Sequence, residues 1–510
     1  MMIALDARRD AVADREAGGT PSRLDIADPD PADLSGVRAA LDRLGPGLEA
    51  FVDWRRRTPS PAYIAGQVTS EPGDLPGEGA GLDAVMDELE QAVAHGCRIS
   101  APGFWGYITT GATTAPAAAQ AAVAIAGGQR HLLHAFNALE VTGLRWLAQL
   151  CGVPAVATGV FTSGGSTANL VALGAARQRA FERRGVDVAA DGLLHVPPVR
   201  VYASSQAHRT IHRAAAVLGL GRESVAVVPT DGGGRIGVGA LDAMLAADRR
   251  AGVVPVAVVG IAGTTDTGVV DPLAELAAVA RRHDTWFHVD GAYGLVAMAS
   301  PRLAPRFDGM AEADSWIVDP HKWLATGVGV GATYVRDGAL LARAFMEGEA
   351  PYLEGTFGDG DASPQSQFDS LGGPWADLGV ELSAPPRGPM VWSVLREIGR
   401  RGVAERVERH VAFASHLASR VRAEARLELL AEPELSIVCF RHRFGADVDR
   451  RNAALLERLR RDTPYAPSST IVDGQFAIRA CFINPRTRLA DVDGLVEAVL
   501  ELGASSTGSG

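Results

Sequence analysis

A largely parallel α/β sheet with helices on both faces is the fold class this sequence predicts, and two patterns predict it. From about residue 111, short apolar runs at 199–203, 225–228, 256–262, 286–289 and 315–318 alternate with stretches of helical period. Strands that are apolar throughout and spaced by helices belong to sheets covered on both sides. After residue 388 a long helix leads into a second, smaller α/β unit, with strands near 427–430, 437–440 and 476–483 and a closing helix at 492–502. The chain therefore reads as a large sheet domain (111–388) and a small C-terminal domain (389–503).

In chain order, residues 1–32 are rich in Asp, Arg, Ala, Gly and Pro without a period and read as a mobile leader. Residues 33–110 form an N-terminal helical segment. Val37, Leu41, Leu44, Leu48 and Phe51 recur at helical spacing, with Gly45-Pro46-Gly47 expected to split that helix in two. A Pro/Gly-rich connection over 58–81 precedes another helix at 82–95. These helices are too few to bury their own apolar stripes, so they are expected to pack on another domain or a second subunit. Further helices are predicted at 117–126 and 139–150, and a strand at 332–335. Residues 352–387 are rich in Gly, Asp, Ser and Pro and read as a lid loop. Residues 504–510 read as a flexible tail.

Composition excludes several functions. A net charge of −11 over 510 residues, with no long basic run, argues against nucleic-acid binding. No stretch approaches the ~18 apolar residues of a membrane span, and Met1 to Thr20 lacks the apolar core of a secretory signal. Cys97, Cys151, Cys439 and Cys481 show no CxxC pair and no zinc spacing, so reduced core cysteines in a cytoplasmic protein without a metal are expected.

The chemistry converges on strand ends. Lys322, in Asp319-Pro320-His321-Lys322-Trp323, is the only lysine of the chain; all other Lys/Arg positions are arginine. Arginine replaces lysine as a surface charge, but only the lysine amine forms an imine with a carbonyl. Asp290 closes an apolar strand ahead of Gly291, a carboxylate placed on the ligand side of the sheet. Taken alone, it reads equally as a metal ligand or a strand cap. Ser163-Gly164-Gly165-Ser166-Thr167 enters a helix, where free backbone amides and the helix dipole suit a phosphate. The Lys of a Walker loop and the GxGxxG spacing are both missing there. His208 and the pair Thr264-Thr265 also follow strands, offering an aromatic ring for stacking and hydroxyl donors. Pyridoxal 5′-phosphate needs an amine, an acid, a phosphate cradle and a stacking ring together.

The same residues resemble a family. Asp319-Pro320-His321-Lys322-Trp323, His288-Val289-Asp290-Gly291-Ala292-Tyr293, Ser163-Gly164-Gly165-Ser166-Thr167-Ala168-Asn169 and Gln206-Ala207-His208 are similar to motifs of the group II pyridoxal-phosphate amino-acid decarboxylases. The likeness runs from about Pro102 to Ile483-Asn484-Pro485-Arg486-Thr487. It implies fold type I (aspartate-aminotransferase-like), conversion of an L-amino acid to its amine and CO2, and a homodimer with its active site at the subunit interface. It further implies that Lys322 binds the cofactor aldehyde, Asp290 pairs with the pyridine nitrogen and His208 stacks on the ring. Gly165, Ser166 and His321 would hold the phosphate, with Thr264 near the ring hydroxyl. Tyr352 would return the proton to Cα from a lid supplied by the partner subunit. Two alternatives stay open: oxidative deamination to an aldehyde or another carbon–carbon cleavage on the same scaffold, and cofactor binding without catalysis. Asp319 stands where many members have asparagine, and Arg130, His131 and His134 are candidates for meeting a polar substrate side chain.

Overall fold

The computed structural model describes residues 34–52, 74–130, 134–346 and 375–505. Its large sheet has seven strands: β2 (Thr158–Thr162), β3 (Val199–Ser204), β4 (Val225–Val228), β5 (Val254–Ile261), β6 (Trp286–Asp290), β7 (Ser315–Val318) and β8 (Gly331–Val335). Their order is β2-β8-β7-β6-β5-β3-β4. β4, β3, β5, β6 and β7 pair in parallel, β8 is antiparallel to both its neighbours, and β2 therefore runs with the majority. Six carboxyl ends thus meet along one edge. β5, β6 and β7 are buried along their whole length, which explains their largely apolar sequence.

Two helices flank that edge at its functional end: α5 (Gly165–Glu182) follows β2, and α6 (Thr210–Val217) follows β3. Earlier in the chain lie α1 (Leu34–Val52), α2 (Gly81–His95), α3 (Thr114–Ile125) and α4 (His134–Cys151). α1 continues through Pro46, contrary to the break expected there. Arg43, one turn before the proline, pairs with Asp83, Asp87 and Glu90 of α2, and this clasp accompanies the continuous helix.

The small domain holds a second sheet of order β1-β11-β12-β10-β9, built from β1 (Phe104–Trp105), β9 (Leu427–Ala431), β10 (Ile437–His442), β11 (Ala466–Val472) and β12 (Gln475–Cys481). β2, β1 and β11 are absent from the strands expected from sequence. β1 pairs in parallel with β11, so a piece of the N-terminal segment completes the C-terminal sheet. Trp105 anchors it, stacked on Tyr465 at 5.6 Å and edge-on to Phe482 at 5.3 Å. Helix Gly388–Ala423 spans both domains, interrupted at Gly399, whose φ of 63° is not helical.

Most of the expected lid loop, including Tyr352, lies outside the described residues. Its end does not: Trp375 and Leu378 are buried, and Arg387 forms a two-pronged pair with Glu381 (2.7 and 3.0 Å). That end is packed structure rather than open loop. No helix among the described residues is long and apolar enough to cross a membrane.

Candidate active site

The carboxyl edge of the large sheet opens into a cavity of about 440 Å³. Lys322, Asp290, His208, Gly165, Ser166 and His321 all line it. Strands β2, β3, β6 and β7 deliver these groups by ending together, so distant stretches of sequence meet at one site.

After β7, Asp319-Pro320 turns the chain, and the Lys322 amide closes the turn on the Asp319 carbonyl (2.9 Å). Lys322 Nζ lies 3.1 Å from Asp319 Oδ2, while Asp319 Oδ1 is buried without a partner among the described residues. Trp323 stacks on Tyr293 at 4.8 Å and donates its indole N–H to His410 Nδ1 (2.9 Å), locking the turn from behind. The Tyr293 hydroxyl meets Ser436 of the small domain (2.5 Å).

Asp290 is buried. Its Oδ1 accepts the Ala292 N–H (3.2 Å) and its Oδ2 accepts the Asn169 side-chain amide (3.1 Å). At the start of α5 the first helical bond is Ala168 N–H to Gly164 C=O (2.9 Å), so the amides of residues 165–167 precede it as donors for an anion. Glycine is required at the entry. Gly164 has φ 136°, and a Cβ on Gly165 would sit 2.7 Å from Asp319 Oδ2.

His321 donates Nδ1–H to the Val330 carbonyl (2.7 Å), and its Nε2 lies 3.8 Å from Asp319 Oδ2. Burial holds its pKa below the ordinary histidine value, with Asp319 opposing and Lys322 adding to the shift. His321 can therefore donate to a phosphate through Nε2 only when protonated. His208 sits just before α6, with Nδ1 3.0 Å from Thr210 Oγ1. Partial burial also lowers its pKa, against the attraction of Asp290.

Thr264 departs from its expected place. It is fully buried and does not line the cavity; its hydroxyl bonds Thr267 (3.0 Å) and accepts the Val269 N–H (3.0 Å). Thr265 lines the wall instead. Arg479 on β12 holds this loop from the small domain, donating to the carbonyls of Thr265 (3.1 Å) and Asp266 (3.1 Å) and also to that of Tyr107 (2.9 Å). Tyr107, at φ 58° and largely exposed, forms the rim with Ile108. Sequence reasoning named Thr265 only beside Thr264, as a hydroxyl past the same strand, and missed Tyr107, Asn169 and Thr210. Only Asn169 carried a signal, as the last residue of the Gly/Ser motif. Arg130 is buried away from the lining and donates to the Phe161 and Glu381 carbonyls, so it is a structural residue; His131 and the His134 side chain lie outside the described residues.

The donor set fits pyridoxal phosphate. A lone amine, a buried carboxylate and a helix N-terminus without side-chain bulk share one cavity, and among the described residues no His, Cys, Asp and Glu cluster suits a metal.

Comparison with known proteins agrees. Residues 66–443 match the pyridoxal-dependent decarboxylase conserved domain. Tryptophan decarboxylase 1 of Oryza sativa subsp. japonica is 32% identical over 448 residues, covering 82% of this chain and 83% of that protein. Aromatic-L-amino-acid decarboxylase of Bacillus atrophaeus is 30% identical over 354 residues, covering 68% of this chain and 69% of that protein. The crystal structure of Oryza sativa TDC with PLP and tryptamine superposes with a TM-score of 0.83 at 27% identity, covering 94% of this chain and 99% of that one. Fold, cavity and these matches lead to one conclusion: the chain belongs to the pyridoxal-dependent decarboxylase family, fold type I, and is a pyridoxal-phosphate carboxy-lyase acting on an amino acid.

Proposed function

We propose that the chain decarboxylates an aromatic L-amino acid in a homodimeric active site, with Lys322 as the cofactor's covalent anchor. The observation that carries this reading is the shared cavity of Lys322, Asp290 and the start of α5. Bound there, pyridoxal phosphate supplies an electron-withdrawing ring that stabilises the charge left at Cα as CO2 departs. Asp290 would pair with the pyridine nitrogen and keep it protonated. His208 would stack on the ring. The amides of Gly165 and Ser166 would hold the phosphate, with His321 beside them. Tyr352, outside the described residues, would return a proton to Cα, general-acid work suited to a closed site.

One feature favours an aromatic substrate over an acidic one: the rim carries Tyr107 and Ile108. The relatives include acidic amino acid decarboxylases as well as tryptophan and aromatic-L-amino-acid decarboxylases, so the rim carries the choice. Exposed Leu41, Leu48, Leu82, Val85 and Leu89 on α1 and α2 support association with a second copy. The test is CO2 release from aromatic, acidic and aliphatic L-amino acids by purified protein, with borohydride trapping of the cofactor. Release from aromatic substrates and a label on the Lys322 peptide are expected. Preference for an acidic substrate would refute the substrate assignment, and an unlabelled protein would refute the anchor.

A further inference from the structure

Behind the cavity wall a chain of side chains runs from the middle of the sheet to the site, and every proton in it can be assigned. Trp286 Nε1–H, which can only donate, points at Ser315 Oγ (2.8 Å). Ser315 Oγ meets His288 Nδ1 (2.8 Å), and His288 Nε2 meets Asn169 Oδ1 (2.9 Å). The Asn169 amide nitrogen then serves two acceptors, Asp290 Oδ2 (3.1 Å) and Thr210 Oγ1 (3.1 Å). Thr210 Oγ1 in turn meets His208 Nδ1 (3.0 Å).

Both ends fix the direction. A carboxylate at Asp290 only accepts, so Asn169 must turn its NH2 toward it and its oxygen toward His288. His288 Nε2 must then carry the proton. A second proton, on Nδ1, would put two donors on Ser315 Oγ, which already accepts from Trp286. Full burial disfavours it, pushing the His288 pKa down to about 4 against the pull of Asp290 and a hydrogen bond to the Ser315 backbone. His288 is therefore neutral, and Ser315 donates to it. At the other branch, the Thr210 backbone N–H can only donate, and it points at His208 Nδ1 (3.4 Å), so that nitrogen is bare. Thr210 Oγ1, which accepts from Asn169, therefore gives its own hydrogen to the same nitrogen. His208 is left with its proton on Nε2, the nitrogen for which no described residue supplies a hydrogen bond.

We propose that Asn169 is a positioning residue that sets two groups at once: it orients the Asp290 carboxylate and, through Thr210, fixes His208 as the neutral tautomer that presents Nε2–H to the cavity. His288, Ser315 and Trp286 hold Asn169 in that orientation. The proposal rests on the placement of Asp290 and His208 at the ring, stated above. It makes His208 a hydrogen-bond donor toward the bound cofactor–substrate pair rather than a base.

Two readouts test it separately. In cofactor-free protein labelled with 15N-histidine, the His208 signal, identified by its loss in His208→Gln, should report Nε2–H with Nδ1 unprotonated. Asn169→Leu should mix the tautomers. In the loaded enzyme, Asn169→Leu should move the pH midpoint of the cofactor's visible band by about one unit and lower kcat about tenfold or more, with KM less affected. The direction of the chain is tested by a pair of variants. His288→Gln keeps a donor toward Asn169 and an acceptor for Ser315, and should behave like the wild type. His288→Leu should reproduce the Asn169→Leu spectrum. These two carry the test if Asn169→Leu does not fold. An Nδ1–H tautomer in the wild type, or equal behaviour of the two His288 variants, would overturn the relay. The expected tautomer together with an unmoved visible band in Asn169→Leu would overturn the placement at the ring.

Discussion

Glu140 makes a prediction whose size follows from its surroundings. Its carboxylate is fully buried on α4, with Oε2 accepting the Gly388 backbone N–H and Oε1 lacking any partner among the described residues. Burial outweighs that hydrogen bond, the attraction of Arg130 and Arg387 and a weaker contribution from the Arg387 backbone, and pushes the carboxyl pKa up to about 7 from an ordinary 4.5. The folded state therefore binds a proton more tightly than the unfolded chain. Stability is fully present below pH 4.5, is lost as the pH rises toward 7, and is level above it. At about 1.4 kcal/mol per pH unit, the loss between pH 5 and pH 8 is about 2 to 3 kcal/mol.

Glu140→Gln removes this titration while keeping an oxygen for Gly388. Thermal unfolding of variant and wild type, followed by fluorescence at fixed cofactor and scan rate, should give similar midpoints at pH 5. At pH 8 the variant should melt higher by about 2 to 5 °C, given the modest change in Tm per kcal/mol expected of a large chain. Midpoint curves that stay parallel from pH 5 to pH 8 would refute the reasoning. So would a variant that loses stability faster than the wild type.

Three further outcomes concern the site. Asp290→Asn should lower turnover on the order of a thousandfold, a few units of pKa mismatch at the ring nitrogen, while cofactor content stays near normal; near-normal turnover would refute the pairing. Gly165→Ala places a methyl 2.7 Å from Asp319 Oδ2 and should weaken cofactor affinity about ten- to a hundredfold, read by equilibrium dialysis, with the far-UV spectrum unchanged. Undiminished affinity would show that the cradle tolerates bulk. Tyr352→Phe keeps the ring and removes the hydroxyl with its proton, so amine should fall and aldehyde, ammonia and peroxide rise under air, with CO2 release less affected; amine at the wild-type rate would assign the proton to another group.

The residues legible in the sequence are those whose chemistry has no substitute. Lys322 stands out because the rest of the chain uses arginine, and Asp290 and Gly165 because a strand end and a helix entry demand particular types. The alternation of apolar runs and helices gave away the large sheet, since β5 to β7 are buried on both faces. What stayed hidden depends on long-range contact or on register. β1 has two residues and exists only because β11, far along the chain, pairs with it. Thr264 and Thr265 are indistinguishable in sequence. Gly263, at φ 108°, turns the chain just after β5, and the turn leaves Thr265 rather than Thr264 on the wall. His288 reads as one polar residue in an apolar strand; only the fold sets Asn169 and Ser315 against its two nitrogens.

The cavity is also not the property of the large domain alone. Arg479 is almost fully buried, and a buried guanidinium is costly unless its hydrogens are met. It meets them with carbonyls of two loops, Thr265-Asp266 and Tyr107, both at the cavity wall, and with Ser468 Oγ (3.2 Å) on the neighbouring strand. The Tyr293 hydroxyl makes a second tie, to Ser436 ahead of β10. Hydrogen bonds of a charged donor contribute about 1.5 to 3 kcal/mol each, and removing the donor leaves several carbonyls unmet at once. The rim residue Tyr107 and the wall residue Thr265 are therefore held by the small domain, while Lys322, Asp290 and His208 are held by the large sheet. Rim and carboxyl edge thus rest mainly on different supports, and they meet at Tyr293, which ties Ser436 to the Trp323 that backs the Lys322 turn.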